Sequence, residues 1–187
     1  MIYRPTIDEY FTIMAMHASS RGSCMRRRVG CVLVNDKNHV LATGYNGLPS
    51  GVTNCVNNPC EGAYSPSGTN LKACGAIHAE INALKQCQNI FNISTAYVTA
   101  SPCTHCIDDL LKTSCKRIVY LQEYPHKDSF DKWRSVDRVI ESIYSQINVT
   151  SPVHTFANLY GFLMPNMESK PDIFTLEPIE LDLMDSD

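Results

Sequence analysis

Two short stretches of the chain carry residues suited to holding and using a metal ion. His78, Ala79 and Glu80 form the first. Pro102, Cys103, Thr104, His105 and Cys106 form the second, with 22 residues between Glu80 and Cys103. One imidazole and two thiolates supply three ligands of a tetrahedral zinc site and leave the fourth position to water, the arrangement of a catalytic rather than a structural centre. Zinc lowers the pKa of such a water from about 15.7 to about 7, so that a nucleophile exists at neutral pH. Glu80, two residues beyond the histidine, can face that water without ligating the metal and act as general acid and base.

Each half is weak evidence alone. An HxE triplet arises by chance on solvated helices, and a CxxC pair also serves redox chemistry or half of a zinc ribbon. Together, H-x-E followed by P-C-x-x-C is the pattern of zinc-dependent nucleobase deaminases. His105, inside the CxxC, reads as an ordinary helix-face residue.

These groups need elements to present them. Residues 77–87 (IHAEINALKQC) and 102–113 (PCTHCIDDLLKT) read as helices, so each motif opens a helix, where the positive end of the dipole favours thiolates. Residues 8–19 predict another helix. Residues 29–35 and 39–45 predict a hairpin about the DKN turn, and 95–100 and 117–122 two further strands. The stretch 129–145 (SFDKWRSVDRVIESIYS) predicts a last helix. The order β-β-α-β-α-β-α describes an α/β sheet with helices packed on it, the later strands parallel and joined by right-handed crossovers.

At 187 residues, 20.9 kDa and 44% hydrophobic, the chain has the size and composition of one globular domain. A net charge of −3 argues against a nucleic-acid polymer as partner. No apolar run reaches the roughly 18 residues of a membrane helix. The start, MIYRPTIDEY, has no basic-then-apolar segment, which predicts no signal peptide. The expected domain covers 1–165. Residues 166–187 hold seven acidic residues and one lysine, and predict an acidic tail, either solvated and disordered or packed on a neighbouring subunit through Ile173, Phe174 and Leu176.

Nine cysteines are an odd number for a disulfide framework and, without a signal peptide, suit a reducing cytoplasm. Cys31, Cys87 and Cys115 fall on predicted strand or helix positions and read as core. Cys24, Cys55, Cys60 and Cys74 lie in and around a glycine- and proline-rich stretch, 46–75, with no predicted regular structure. Such a long loop needs support beyond a small apolar core. Four thiolates would make a closed structural zinc site whose binding energy becomes folding energy. The alternative is four separate buried thiols.

The segments CMRRRVGCVLV, ATGYNGLPSGVTNC, CGAIHAEINAL, TAYVTASPCTHC and KRIVYLQEY, in that order over about 7–145, resemble the deoxycytidylate (dCMP) deaminases, especially those of phages and bacteria. The GYNG motif at 44–47 and the cysteine-bearing insertion carry the resemblance beyond the deaminase superfamily. It implies a cytidine-deaminase-like three-layer α/β/α sandwich on a mixed five-stranded sheet, and conversion of dCMP to dUMP and ammonia, which would supply thymidylate synthesis. It implies that His78, Cys103 and Cys106 hold catalytic zinc, that Glu80 shuttles protons, and that Asn46, Ala79 and Tyr124 meet the substrate.

The resemblance further implies a second zinc per chain. Two ligand positions used by phage relatives are Ala76 and Gly68 here, so Cys60 and Cys74 are the substitutes that would join Cys24 and Cys55. It also implies a homo-hexamer, activation by dCTP and inhibition by dTTP. The effector site would comprise Gly44, Tyr45, Asn46 and Gly47 with Arg26, Arg27 and Arg28, and a Mg2+ ion could accompany the triphosphate. The setting would be cytoplasm, that of the host if the gene is a phage's. Competing readings are a deaminase of dCTP, tRNA, DNA or free bases with the same catalytic residues, and a zinc-stabilised binding module, in which Glu80 would have no task.

Overall fold

The computed structural model describes residues 3–65, 69–70, 73–124 and 127–162. The expected acidic tail, 166–187, lies outside the described residues, as does Gly68.

Helix α1 (Ile7–Ser19) starts at a capping box. Thr6 Oγ1 accepts from the Glu9 backbone N–H, and the Glu9 carboxylate accepts from the Thr6 N–H. Strands β1 (Gly30–Val34) and β2 (Val40–Tyr45) pair antiparallel across a tight turn. The Asn35 side chain closes that turn by accepting from the N–H groups of Lys37 and His39. Helix α2 (Ala79–Gln86), β3 (Thr95–Ala100), α3 (Thr104–Leu111) and β4 (Arg117–Gln122) follow in the expected order.

The predicted single helix over 129–145 is instead three elements. Helix α4 (Lys127–Arg134) ends before Asp137, which adopts φ 56°, and β5 (Val139–Ser142) then joins the sheet, followed by a 3-10 turn at Ile143–Ser145. Aspartate tolerates this left-handed conformation better than most residues, and so breaks the helix without glycine or proline. Helix α5 (Pro152–Leu159) is an addition to the expected elements; Ser151 caps it and proline occupies its first turn.

The sheet order is β2-β1-β3-β4-β5. Strand β1 is antiparallel to both neighbours, whereas β3, β4 and β5 are mutually parallel, so the sheet is mixed and five-stranded. Side chains alternate between two cores. Cys31, Leu33, Ala96, Val98, Ile118 and Tyr120 face α2, α3 and α4, where Ala83, Ile107, Leu110 and Trp133 meet them. Val32, Val34, Tyr97, Val119 and Leu121 face α1 and α5, packing on Phe11, Ala15, Met16, Val153 and Ala157. Helices thus cover both faces, giving three layers.

Gly44 permits one close approach that matters later. A Cβ there would lie 2.2 Å from the Ala79 carbonyl oxygen and 2.5 Å from the Ala83 nitrogen. The missing side chain lets α2, which begins one residue after His78, lie directly on β2. At the opposite face, Arg117 ties β4 to α1 by a two-pronged pair with Asp8, at 2.8 and 2.7 Å, and reaches Glu141 on β5 at 2.7 Å. The Tyr97 hydroxyl also donates to Asp8 at 2.6 Å.

Candidate active site

Because β1 runs against β2 and β3, strands β2, β3 and β4 point the same way. Their carboxyl ends and the amino end of β1 meet at one edge of the sheet. Asn46 follows β2, Ser101 follows β3, Tyr124 follows β4, and Arg27 precedes β1. A cavity of about 300 Å³ opens among these loops, and His78, Glu80 and Cys103 line it.

His78 and Cys103 occupy the N-cap positions of α2 and α3, and neither spends its side chain on capping. Both are therefore turned to one another. His78 Nδ1 lies 3.2 Å from Cys106 Sγ and 3.5 Å from Cys103 Sγ. Tetrahedral zinc with ordinary bond lengths would separate nitrogen from sulfur by about 3.5 Å, so the donor set fits zinc. Among the described residues, these three alone bring three candidate ligand atoms within 4.8 Å of one another. Pro102 sits one residue before the N-cap of α3, outside the helix.

The protons of this triad are strongly biased. The Cys103 thiol is pulled down to about 3, first by a hydrogen bond with Cys106 and further by His78, against the effect of its burial. The same contact pushes the Cys106 thiol up, and burial adds to it. The hydrogen bond to Cys103 raises His78 to about 9, although its desolvation opposes this. A cation entering the triad would displace these protons.

Glu80 is 3% exposed. Burial raises its carboxyl above the ordinary carboxylate range, and its side chain contacts Cys106. A buried carboxyl beside the His78, Cys103 and Cys106 donor atoms, and not one of them, is placed to exchange protons with a molecule in the cavity.

The other cavity residues hold the walls. Asn46 Nδ2 donates to the Arg27 carbonyl at 2.8 Å, and its Oδ1 accepts from the Val29 N–H at 2.8 Å, so this amide clamps the segment entering β1. An isolated bridge between Gly47 and Ile77 brings the next residue, His78, back to the end of β2 and ties the ends of the long loop together. Ser101 had no signal in the sequence; its hydroxyl accepts from the Tyr124 N–H at 2.7 Å and so sets where that tyrosine stands. Ala79 is buried in the cavity wall, and His105, exposed, reaches the rim and pairs with Asp109.

The cysteines expected to form a structural site are only partly gathered. Cys55 and Cys60 lie with sulfurs 3.7 Å apart, close to the edge of about 3.8 Å in a zinc–thiolate tetrahedron. Burial pushes the Cys55 thiol up, but the N–H groups of Cys60 and Met25 outweigh it and lower the thiol. Cys74 raises the Cys60 thiol through charge, after burial and Cys55. Cys24 and Cys74 line the cavity that holds His78 and Glu80. The loop closes on turns and the Gly47–Ile77 bridge, and no three of these four sulfurs come within 4.8 Å of one another. All nine cysteines are free.

The residues expected at an effector site divide. A second cavity, of about 400 Å³, is lined by Tyr45 and Gly47 together with Arg21, Ser23, Asn54 and Asn82. Ser23 Oγ there is buried without a hydrogen-bond partner. Asn46, Arg26 and Arg27 line the first cavity instead, Arg28 is exposed, and Gly44 serves the packing of α2.

Residues 5–122 match the family model described as the cytidine and deoxycytidylate deaminase zinc-binding region. The deoxycytidylate deaminase of Saccharomyces cerevisiae is 40% identical over 125 residues, 66% of this chain and 40% of the yeast protein. The chain therefore matches well under half the length of that relative. The deoxycytidylate deaminase of Mycobacterium phage D29 is 40% identical over 126 residues, covering 64% of this chain and 98% of the phage protein. A crystal structure of dCMP deaminase from the cyanophage S-TIM5 in complex with dCMP and dUMP superposes with a TM-score of 0.62 at 28% identity, over 75% of this chain and 99% of the other. No helix among the described residues is long and apolar enough to cross a membrane.

Proposed function

Since the chain belongs to the cytidine and deoxycytidylate deaminase zinc-binding family, we propose that it hydrolyses the 4-amino group of dCMP to give dUMP and ammonia. The observation that carries this is the convergence of His78, Cys103 and Cys106 beside buried Glu80 in one cavity. The phage relatives named above support the choice of substrate.

His78 Nδ1 and the two sulfurs would hold one zinc ion. When bound, it supplies a Lewis acid that generates a nucleophile from water at neutral pH. Glu80 would take one proton of the water whose oxygen bonds to C4 and deliver it to N3 of the pyrimidine; it would then take the second proton, from the hydroxyl now on C4, and give it to the amino nitrogen, so that the C4–N bond breaks, ammonia leaves and the C4 carbonyl of dUMP forms. Asn46 and Ser101 act at a distance, by holding the Arg27–Val29 segment and Tyr124 around the ligand. The helix N-termini add a positive field where negative charge gathers.

Three finer statements belong to the same reading. Cys24, Cys55, Cys60 and Cys74 would hold a second, structural zinc. The cavity beside Tyr45 and Gly47 would take dCTP as activator and dTTP as inhibitor, with Mg2+ on the triphosphate. The active assembly would be a homo-hexamer in the cytoplasm. Initial rates with dCMP, dCTP, CMP and deoxycytidine, each with and without dTTP, test the reading. It requires dCMP to be the best substrate and dTTP to change the dependence of rate on dCMP concentration. Absence of turnover by the zinc-loaded protein would refute the activity.

A further inference from the structure

Helix α1 holds no Asp, Glu, Lys or Arg from Tyr10 to its end at Ser19. A helix that is apolar all round is ordinarily covered all round. The inner face of α1 meets the sheet through Phe11, Ala15 and Met16. One flank meets α5: Glu9 accepts from the Ser151 hydroxyl, and His17 Nδ1 shares a hydrogen bond of 2.7 Å with the Tyr160 hydroxyl. Opposite the sheet, Ile7, Tyr10, Met14 and His17 recur at steps of three, four and three, the spacing of a seam that receives another element. Ile7 is 48% exposed and Tyr10 50% exposed. Among the described residues this outer seam stays open.

The charges at the ends of the seam select its occupant. Arg4 precedes the seam and Arg21 follows it, and both are exposed. A second copy of α1, parallel or antiparallel, would set arginine against arginine at each end, which like-charge repulsion penalises. The stretch 166–187 of the same chain has the opposite character, with seven acidic residues and one lysine. Its Ile179, Leu181 and Leu183 alternate with Glu180 and Asp182, so in extended form it would present one apolar and one acidic edge. It is also within reach. The His17–Tyr160 hydrogen bond sets the end of α5 beside the last turn of α1, so the chain leaves α5 at one end of the seam. Helix α1 has 13 residues and is therefore about 20 Å long, a distance that about six extended residues span.

We propose that residues 173–184 of the same chain dock on the outer face of α1. Ile179, Leu181 and Leu183 lie against Ile7, Tyr10 and Met14, and the acidic residues around them answer the arginines at the two ends of the seam. The contact completes the covering of an apolar helix that the sheet and α5 leave open on one side. It concerns the face of the molecule away from Glu80 and does not depend on the deaminase reading.

The test follows, by mass spectrometry, the cut that a glutamate-specific protease makes after Glu180. The 187-residue wild type, Tyr10→Ser and Leu183→Ser are each compared with the free peptide 166–187 of the same sequence. Cleavage of a docked segment tracks the fraction undocked, and burial of one large apolar side chain shifts that fraction by about tenfold or more. Wild type should therefore be cut at least about tenfold more slowly than its peptide, and each variant should lose most of that protection. If Tyr10→Ser does not fold, Leu183→Ser decides, since it changes the segment and not the domain. A second measurement identifies what lies on the face. With Tyr10 replaced by p-benzoylphenylalanine, and isotope-labelled and unlabelled chains mixed, light should join position 10 to residues 173–184 of its own chain. Wild type cut as fast as the peptide, or protection that survives the variants, overturns the proposal. So does a crosslink that forms only between labelled and unlabelled chains, or one that never reaches 173–184; a crosslink to α1 of another chain would assign the seam to a second copy.

Discussion

His78 Nδ1 and Cys106 Sγ lie 3.2 Å apart although they are 28 positions apart in the chain. Two helix starts bring them together, one pressed onto β2 through Gly44 and the other following β3 directly. The metal geometry is thus a property of how two helices seat on the sheet.

Glu80→Gln keeps the size of the side chain and removes its capacity to carry protons. General acid–base groups contribute about 10²–10⁴-fold, and in the proposed reaction Glu80 serves water, N3 and the leaving amine. The expected outcome is a fall in kcat of at least about 10³-fold with zinc content unchanged, read by ammonia release and elemental analysis. Turnover within about threefold of wild type would remove Glu80 from the mechanism.

The metal count separates the two cysteine sets. Protein purified without chelators should carry two zinc ions per chain. Cys103→Ala should lose one ion and all activity. Cys60→Ala or Cys74→Ala should lose the other, lower thermal stability and expose the 46–75 loop to protease. One zinc per wild-type chain would leave the Cys55–Cys60 contact as a pair of neighbouring thiols.

Gly44→Ala places a methyl group against backbone on two sides. Neither the Ala79 carbonyl nor the Ala83 nitrogen can rotate away, so α2 must move. Overpacking of this kind costs about 1–3 kcal/mol. Denaturant unfolding should show that loss, and the folded variant should bind zinc more weakly, because His78 moves with the helix. A variant of wild-type stability and zinc affinity would contradict the packing described.

Acid should loosen α1 from the sheet. Burial pushes the Asp8 carboxyl up, but hydrogen bonds from Arg117 and Tyr97 outweigh it and hold it below its ordinary value. Glu9 is lowered in the same sense: Ser151, Thr6 and Tyr3 outweigh its desolvation. A depressed folded-state pKa contributes stability that is complete above the unfolded value of about 4 and is lost as pH falls through the folded value. The melting temperature should therefore hold steady down to about pH 5 and decline steeply below about pH 4. Asp8→Asn should flatten part of that decline and cost about 1–2 kcal/mol at neutral pH, between exposed and fully buried pairs. An unchanged acid profile in this variant would show that the Arg117 pair does not govern it.

The candidate site of His78, Glu80, Cys103 and Cys106 was legible because its members sit at short spacings on elements with clear starts: HAE opens α2, and CxxC opens α3. The first four strands were legible from apolar runs bounded by turns. Strand β5 was not, since VDRVIESIYS mixes charges at spacings that also suit a helix, and the break rests on one aspartate with positive φ. Helix α5 did have a sequence signal, serine followed by proline, that marks an N-cap and first turn. The separate fates of Arg26, Arg27 and Arg28 had none, because a run of identical residues before a strand says nothing about which side chain meets a cavity built from three other loops. Ser101 was hidden for the same reason: its partner, Tyr124, comes from the end of the next strand.

All the reactive loops leave the sheet at one edge, and the opposite edge carries only connections. There the Asn35–His39 turn closes on its own side chain, with Asn38 at φ 60°, and β3 and β4 begin at Thr95 and Arg117. The molecule thus offers a handle that chemistry does not use. A fluorophore, an affinity tag or a surface linker placed at Lys37 would sit a full strand length from the cavity. Exposed turns of this kind are where chains accept insertions most readily. Immobilised or labelled through that end, the protein would keep its reacting face turned to solution.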